Sequence, residues 1–390
     1  DVYKRQVKAD AISLCQKPHL GVPSEQEINE VIEAIKNSKF PVLLAGMRSS
    51  SQAETEAIRR LVQKTNLPVV ETFQGAGVIS RELENHFFGR VGLFRNQVGD
   101  ELLRKSDLVI TIGYDPIEYE ASNWNKELDT KIINVDEEHA EITNYMQPVK
   151  ELIGNIAGTI DMISEHVNEP FINQDHLDEL EKLRGEITEA TGIKATHKEG
   201  VMHPVEIIET MQKVLTDDTT VTVDVGSHYI WMARKYRSYN PRHLLFSNGM
   251  QTLGVALPWA ISAALVRPNT QVVSVAGDGG FLFSGQELET AVRKNLNIIQ
   301  LIWNDGRYNM VEFQEEMKYK RSSGVEFGPV DYVKYAESFG AKGLRVTNQE
   351  ELEAALKEGY ETDGPVLIDI PVNYADNVKL STNMLPNALN

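Results

Sequence analysis

The chain of 390 residues has few cysteines, a deficit of basic residues and no long apolar run, and each shortage excludes a class of protein. A single cysteine, Cys15, cannot form an internal disulfide or a cysteine-based metal cluster, which fits a reducing cytoplasm. The formal net charge of -18 and the lack of a basic patch argue against nucleic acid and anionic membrane surfaces as partners. No apolar run approaches the roughly 20 residues that a membrane-spanning helix needs. We therefore predict a soluble, cytoplasmic globular protein.

Apolar segments without inside-outside alternation follow one another along the chain, separated by amphipathic segments with helical spacing. The apolar segments of the first half are "PVLLAG", "PVVETF", "DLVITIG" and "KIINVD". Those of the second half are "TTVTVD", "HLLFSN", "QVVSVAGD", "NIIQLIWND" and "GPVLIDIPV". Continuous apolar strands separated by helices are typical of parallel sheets covered on both faces. We predict an α/β protein with two doubly wound parallel-sheet domains.

The domain boundaries follow from changes in composition. We interpret residues 1–23 as the remnant of an upstream linker and residues 24–165 as a central Rossmann-like domain. Residues 166–200 are highly charged and predict a linker with one solvated helix, running within 178–198. Residues 201–390 form the C-terminal domain, in which His203 is interpreted as a helix N-terminal residue. The central domain contains no GxGxxG, and its short "GAG" at 75–77 is interpreted as a structural turn.

Two acidic residues follow two successive strands of the second domain. Asp278 follows "QVVSVAG" and Asp305 follows "NIIQLIWN", with one helical segment between them. A right-handed crossover makes the two strands parallel, so both residues lie at the carboxyl edge of the sheet, about 5 Å apart if the strands are neighbours. Converging carboxylates need a cation, and hard oxygen ligands favour Mg²⁺ or Ca²⁺. Mg²⁺ typically completes its coordination with water and substrate phosphates.

Glycines beside Asp278 indicate what the cation would hold. Gly277, Gly279 and Gly280 allow backbone N–H groups to approach a phosphate closely. The following helix, which we expect to begin near Ser284, directs its positive end to the same place. The sequence therefore predicts a diphosphate ligand at a magnesium site.

The spacing of Gly-Asp-Gly and Asn304-Asp305 resembles the thiamine diphosphate motif of enzymes that cleave or join 2-oxo acids. In that family the second turn is commonly Asn-Asn, with the second Asn as a metal ligand, and Asp305 replaces it here. The segments "SNGMQTLGVALPWAI", "YNMVEFQEEMKYKRSSG" and "IGYDPIEYEASNWN" are similar to those of the catabolic, FAD-independent acetolactate synthases. The resemblance extends from about Ser24 to Pro386.

The resemblance implies a role for particular residues. The metal ligands it implies are Asp278, Asp305 and the backbone carbonyl of Arg307. The residues that would contact the diphosphate are Gly226, Ser227, His228, Gly277, Gly279 and Gly280. The carbonyl of Gln251 and the N–H of Leu253, which stands where many relatives have Met, would receive the aminopyrimidine ring. Met310, Val311 and Gln314 would line the side of the second substrate.

The resemblance also implies the reaction. Thiamine diphosphate and Mg²⁺ would serve the decarboxylation of pyruvate and its condensation with a second pyruvate to 2-acetolactate, in a homodimer or homotetramer. We expect no FAD, because "IGYDPIEY" replaces the segment of the flavin-containing relatives and Gln314 lies where they usually have Trp.

The family's reaction needs a glutamate carried by an N-terminal pyrimidine-binding domain, usually that of the neighbouring subunit. We find no such domain in the chain, so we expect it to be truncated and to turn over poorly, if at all, by itself. Two other functions stay open from the sequence. One is a different thiamine diphosphate enzyme, such as a pyruvate oxidase, and the other is a non-catalytic protein that binds the cofactor.

Overall fold

The first half of the chain forms a six-stranded parallel sheet covered by helices. The computed structural model describes residues 19–93 and 97–382, and Cys15 lies outside them. The strand order of this sheet is β3-β2-β1-β4-β5-β6, and every pair is parallel. Its strands are β1 (Pro41–Ala45), β2 (Val69–Thr72), β3 (Phe87–Val91), β4 (Leu108–Ile112), β5 (Lys131–Asp136) and β6 (Lys150–Ile153). Its helices are α1 (Glu25–Lys36), α2 (Gln52–Thr65), α3 (Val98–Lys105) and α4 (Ile156–His166), and α5 (Gln174–Thr191) follows.

The second half repeats this architecture with a second parallel sheet. Its strand order is β11-β12-β10-β9-β7-β8. The strands are β7 (Thr220–Val223), β8 (Leu244–Phe246), β9 (Val272–Gly277), β10 (Ile298–Asn304), β11 (Lys342–Arg345) and β12 (Val366–Pro371). The first helices are α6 (Pro204–Val214), α7 (Ser227–Lys235), α8 (Ala256–Val266), α9 (Asp278–Ser284) and α10 (Leu288–Arg293). The last are α11 (Asn309–Tyr319), α12 (Tyr332–Ser338), α13 (Gln349–Glu361) and α14 (Asn377–Thr382).

These two sheets confirm the predicted α/β class and the predicted pair of doubly wound domains. The central strands are buried along their whole length, as their continuous apolar sequences require. Strands β3, β6 and β11 were not predicted, because their sequences "FFGRV", "KELI" and "KGLR" carry charged residues. β3, β6 and β11 lie at sheet edges, where fewer side chains need to be apolar.

Helix α5 lies within the predicted linker of residues 166–200, and most of its described residues are exposed. Leu180 on its inner face is buried against the first domain. The Arg184 guanidinium lies 4.4 Å from the centre of the Phe88 ring and donates to the backbone carbonyl of Asn85 at 2.7 Å. The charged residues of the run cover the outer face, and one apolar row fixes the helix to the domain.

Buried charges join the two domains. The fully buried guanidinium of Arg90 on β3 pairs with Glu71 and donates to the carbonyls of Ala233 and Tyr236 in the second domain, at 3.0 and 2.8 Å. Arg237 reaches back to Glu84 at 2.8 Å. Among the described helices, none is long and apolar enough to cross a membrane.

Candidate cofactor and metal site

Strands β9 and β10 are direct neighbours, and this places the two predicted acids at one edge of the second sheet. Trp303 of β10 lies opposite Gly277 of β9 in the parallel register. Asp278 directly follows β9 and Asp305 directly follows β10, so both residues lie at the same carboxyl edge of the sheet. The expectation that the intervening helix begins near Ser284 is wrong: α9 begins at Asp278 itself, directly after the strand.

The carboxylate of Asp278 is held by the backbone. One oxygen accepts the N–H of Gly279 at 2.8 Å and the other accepts the N–H of Gly306 at 2.6 Å. Gly306 follows Asp305 and has a positive φ of 73°, which glycine adopts without strain. The side chain of Asp278 thus ties the end of β9 to the turn after β10, and its orientation is fixed without any ligand.

The carboxylate of Asp305 has a side-chain partner instead. Its Oδ2 accepts the side-chain amide of Asn309, in the first turn of α11, at 2.6 Å. The guanidinium of Arg307 pairs with Glu312 and Glu326, so its charge is already matched by these two carboxylates.

The two acids titrate as a repelling pair. Burial, opposed by backbone N–H groups, raises the pKa of Asp278 to about 6. Burial and the charge of Asp278 raise the pKa of Asp305 to about 7. No cluster of three or more His, Cys, Asp and Glu side chains forms within residues 19–93 and 97–382, so protein side chains alone do not complete a metal site there. A cation held by this pair needs ligands from the backbone, water or a bound phosphate.

A cavity of about 260 Å³ opens directly beside the acids. The predicted site residues that line it are Gly226, Ser227, His228, Gln251, Leu253, Gly277, Asp278, Gly279, Gly280, Asp305, Arg307, Met310 and Val311. Gln314 is absent from this lining and lies exposed, one turn further along α11. Residues that sequence reasoning did not assign complete the lining: Val225, Trp303, Tyr308, Asn309 and Tyr374.

His228 presents an unsatisfied polar atom at this cavity. Its Nε2 is buried and has no hydrogen-bond partner among the described residues. Burial lowers the pKa of His228 to about 3, so the ring is neutral at physiological pH. Trp303 packs edge-on against the ring, with centroids 6.2 Å apart. A buried polar atom without a partner is costly, and a bound group that forms a hydrogen bond with Nε2 would satisfy it.

The glycines of the motif are required by packing as well as by ligand approach. A Cβ on Gly280 would lie 3.0 Å from the Asp224 carboxylate. A Cβ on Gly279 would lie 2.7 Å from the Tyr308 ring and 2.8 Å from the Phe327 ring. The helix start at Asp278 can therefore approach its neighbours only where side chains are absent.

Asp224 supports a loop beside the cavity, and the sequence analysis did not assign it a role. It ends the segment "TTVTVD" and is almost completely buried. Its carboxylate accepts the backbone N–H groups of Gly254 at 3.0 Å and Ala256 at 3.2 Å. It thereby shapes the loop of Gln251, whose φ of 48° is left-handed. An acidic residue at the end of a buried strand was the available signal.

Asn309, Tyr374 and Asn377 were also missed. Asn377 at the start of α14 donates to Ser227 at 2.8 Å and to Asn309 at 2.6 Å. Tyr374 is buried against the acids, and burial together with their charges raises its pKa well above the usual value. These residues carry no motif, and only the fold brings the C-terminal segment back to the site. His203 caps α6, as predicted, and its ring bonds Asp376 at 3.1 Å.

Comparison with known proteins agrees with this geometry. The family model "Thiamine pyrophosphate enzyme, C-terminal TPP binding domain" matches residues 224–370, and the central-domain model of the same enzymes matches residues 28–163. An acetolactate synthase of Bacillus subtilis is 47% identical over 386 residues, which are 99% of this chain and 68% of that protein. The chain belongs to the acetolactate synthase family.

Other members of the family are similar over the same region. A catabolic acetolactate synthase of Raoultella terrigena is 41% identical over 97% of this chain and 67% of its own length. A probable acetolactate synthase large subunit of Methanococcus aeolicus is 29% identical over 89% of this chain and 60% of its own length. The chain spans about two thirds of the length of the Bacillus and Raoultella relatives.

Proposed function

We propose that this chain supplies the diphosphate and metal site of an acetolactate synthase, which joins two pyruvate molecules to 2-acetolactate with loss of CO₂. The observation that carries the proposal is the convergence of Asp278 and Asp305 beside a cavity that contains the partnerless Nε2 of His228. Two repelling carboxylates favour a dication, and a dication held in this way favours phosphate oxygens as its further ligands. Thiamine diphosphate with Mg²⁺ has both groups.

In this proposal each residue has a defined task. Asp278, Asp305 and the backbone carbonyl of Arg307 hold Mg²⁺, and His228 and the N-terminal turn of α7 hold the diphosphate. Bound thiamine diphosphate supplies the electron sink for decarboxylation. Met310 and Val311, which line the cavity, would exclude water from its reacting side. Gln314 lies further out, and we keep it as a proposed contact of the second substrate.

We further propose that the first domain is a scaffold without flavin. The carboxyl edge of its sheet, where a dinucleotide would bind, is filled by Arg48, which donates to Asp136 at 2.8 and 2.7 Å and to Asp115 at 3.1 Å. Gly46 after β1 packs on the backbone of Gly113, where a Cβ would lie 2.5 Å from the carbonyl oxygen. The glycine therefore supports a close backbone contact between two loops.

The remaining parts of the proposal concern the whole protein. We propose a cytoplasmic homodimer or homotetramer whose acetolactate enters acetoin or branched-chain amino acid synthesis. The domain limits of 24–165 and 201–390 stay part of this proposal. A pyruvate oxidase is the alternative within the same enzymes, and a cofactor-binding protein without activity is the other.

Two measurements test the proposal. Calorimetry of Mg²⁺ and thiamine diphosphate with this chain should show binding, and the matched Asp278→Asn variant should not. Pyruvate should be converted to acetolactate when the chain is preceded by the N-terminal third of the Bacillus subtilis relative. Release of acetaldehyde, or of acetyl phosphate with peroxide, would replace the proposed reaction, and absence of cofactor binding would refute the site.

A further inference from the structure

A directional chain of hydrogen bonds runs through the second domain and ends at Asp305. Trp231 Nε1 donates to Asn377 Oδ1 at 2.7 Å, and Asn377 Nδ2 donates to Asn309 Oδ1 at 2.6 Å. Asn309 Nδ2 then donates to Asp305 Oδ2 at 2.6 Å. Ser227 Oγ completes the middle of the chain, because it accepts from Asn377 at 2.8 Å and donates to Asn309 at 2.7 Å.

The direction of this chain is fixed at its far end. The indole of Trp231 can only donate, so the oxygen of Asn377 must face it and the amide nitrogen must face Asn309. Asn309 then turns its oxygen to Asn377 and its nitrogen to residue 305. Trp231 is completely buried and Asn377 is 5% exposed, so water does not offer either an easy alternative. Residue 305 is therefore obliged to accept a hydrogen bond.

The hydrogen bond from Asn309 occupies one acceptor atom of residue 305. An aspartate still has its second oxygen for a cation. An asparagine has only one oxygen, which Asn309 would take, and its amide nitrogen would then face the cation site with two hydrogens. A nitrogen that carries two hydrogens repels a dication instead of binding it.

We propose that Trp231, Asn377 and Asn309 are positioning residues that require aspartate at position 305. The inference rests on the proposed Mg²⁺ site of this chain. It predicts that the two positions 305 and 309 are coupled through the hydrogen bond between Asn309 and Asp305.

The test compares one substitution in different backgrounds. Asp305→Asn should weaken Mg²⁺ binding, measured by calorimetry with thiamine diphosphate present, by about 100-fold or more. In an Asn309→Ala background, the loss of Mg²⁺ affinity caused by Asp305→Asn should be about tenfold smaller. The asparagine introduced at position 305 can then turn its oxygen to the metal. Asn309→Leu, which keeps the volume, should give the same relief if Asn309→Ala folds poorly.

Asn304→Ala is the matched control. Asn304 neighbours Asp305, but it donates to Asp369 at 2.9 Å and takes no part in the chain of hydrogen bonds that ends at Asp305. In the Asn304→Ala background, Asp305→Asn should therefore weaken Mg²⁺ binding by the full factor of about 100. In the metal-free protein, Trp231→Phe should shift the side-chain amide resonances of both Asn377 and Asn309 in ¹H–¹⁵N spectra. If the wild-type protein binds Mg²⁺, but Asp305→Asn weakens Mg²⁺ binding by the same factor in all backgrounds, the inference is overturned and the metal site is not. Wild-type protein that takes up no Mg²⁺ would overturn the metal site and the inference with it.

Discussion

The carboxyl edges of the two parallel sheets differ in how their acids are neutralised. At the first edge, Asp136 ends β5 and is paired with Arg48, and Asp115 joins the same guanidinium. At the second edge, Asp278 and Asp305 face each other, and their pKa values of about 6 and 7 reflect burial and, for Asp305, the charge of Asp278. The acids of the first edge are neutralised by a side chain of the protein, whereas we propose that a bound cation neutralises those of the second edge.

The shared architecture of the two sheets does not determine which of them binds a ligand. Both sheets have six parallel strands and helices on both faces. In open α/β sheets, binding happens beyond the carboxyl ends of the strands, and the residues placed there decide the chemistry. Arg48 neutralises the acids of the first edge, whereas Asp278 and Asp305 at the second edge are the proposed metal ligands.

The largest effect should come from Asp278→Asn. Both carboxylate oxygens accept backbone N–H groups, so the amide nitrogen of an asparagine would face a donor and the site would lose a charge. We expect thiamine diphosphate and Mg²⁺ binding to fall by about 100-fold or more in calorimetry. Asp136→Asn at the first edge is the matched control, and an equal loss of binding there would contradict the comparison.

Arg48→Met should act on stability alone. It leaves Asp136, which is 1% exposed, without its cation, and breaking such a pair costs about 2 kcal/mol when one partner is partly exposed. Urea denaturation should show this loss, and cofactor affinity should stay within twofold of wild type, about 0.4 kcal/mol. A large loss of cofactor affinity with unchanged stability would assign a ligand role to the first edge.

The two edges should also differ in their response to pH. The raised pKa values of Asp278 and Asp305 mean that the folded, metal-free protein keeps protons that the unfolded chain has released. Near pH 4 the pair therefore does not lower the free energy of unfolding. As the pH rises to about 7, the unfolded chain releases these protons more readily than the folded protein does, and the free energy of unfolding falls. Mg²⁺ needs both carboxylates ionised, so its affinity should fall by about tenfold or more per pH unit below 6.

Calorimetry and urea denaturation at a series of pH values measure both trends. Asp305→Asn is the control, because it removes the carboxyl group with the higher pKa and should make the fall in stability with pH shallower. Mg²⁺ affinity that is constant from pH 5 to pH 7 would contradict the raised pKa values.

His228→Leu should have the smallest effect of the four. It removes one neutral hydrogen-bonding group from the cavity, which is worth about 1 kcal/mol, or roughly a fivefold loss of thiamine diphosphate affinity. Because the pKa of His228 is about 3, this loss should be the same at pH 6 and pH 8. His228→Gln keeps a donor and should recover part of the affinity. A loss that appears only at acidic pH would show a charged imidazole.

The sequence predicted the central strands, and the position of Asp278 and Asp305 at one sheet edge, because both follow local rules. Strands such as β9 and β10 are continuous apolar runs, and an acid directly after each strand marks the carboxyl edge. Edge strands such as β6 were missed because charged residues interrupt their pattern. The start of α9 was misplaced because Gly-Asp-Gly is typical of a turn, whereas here it forms the first helical turn.

The missed site residues depend on contacts between distant parts of the chain. Asn377 meets Ser227 across 150 positions of sequence, and nothing in either local segment indicates the contact. Asp224 gave a usable signal, since it ends a buried strand as Asp278 and Asp305 follow theirs. Its carboxylate, however, turns to backbone N–H groups rather than to the cavity, and only the structure shows this.

A crystal structure of the protein grown with thiamine diphosphate and Mn²⁺ tests the central claim most directly, through the anomalous scattering of the metal. We predict one strong peak between Asp278 and Asp305, about 2.1 Å from an oxygen of each, with the diphosphate oxygens and the Arg307 carbonyl around it. A peak at the edge that holds Arg48 and Asp136, or a cofactor bound with no metal between Asp278 and Asp305, would contradict the account.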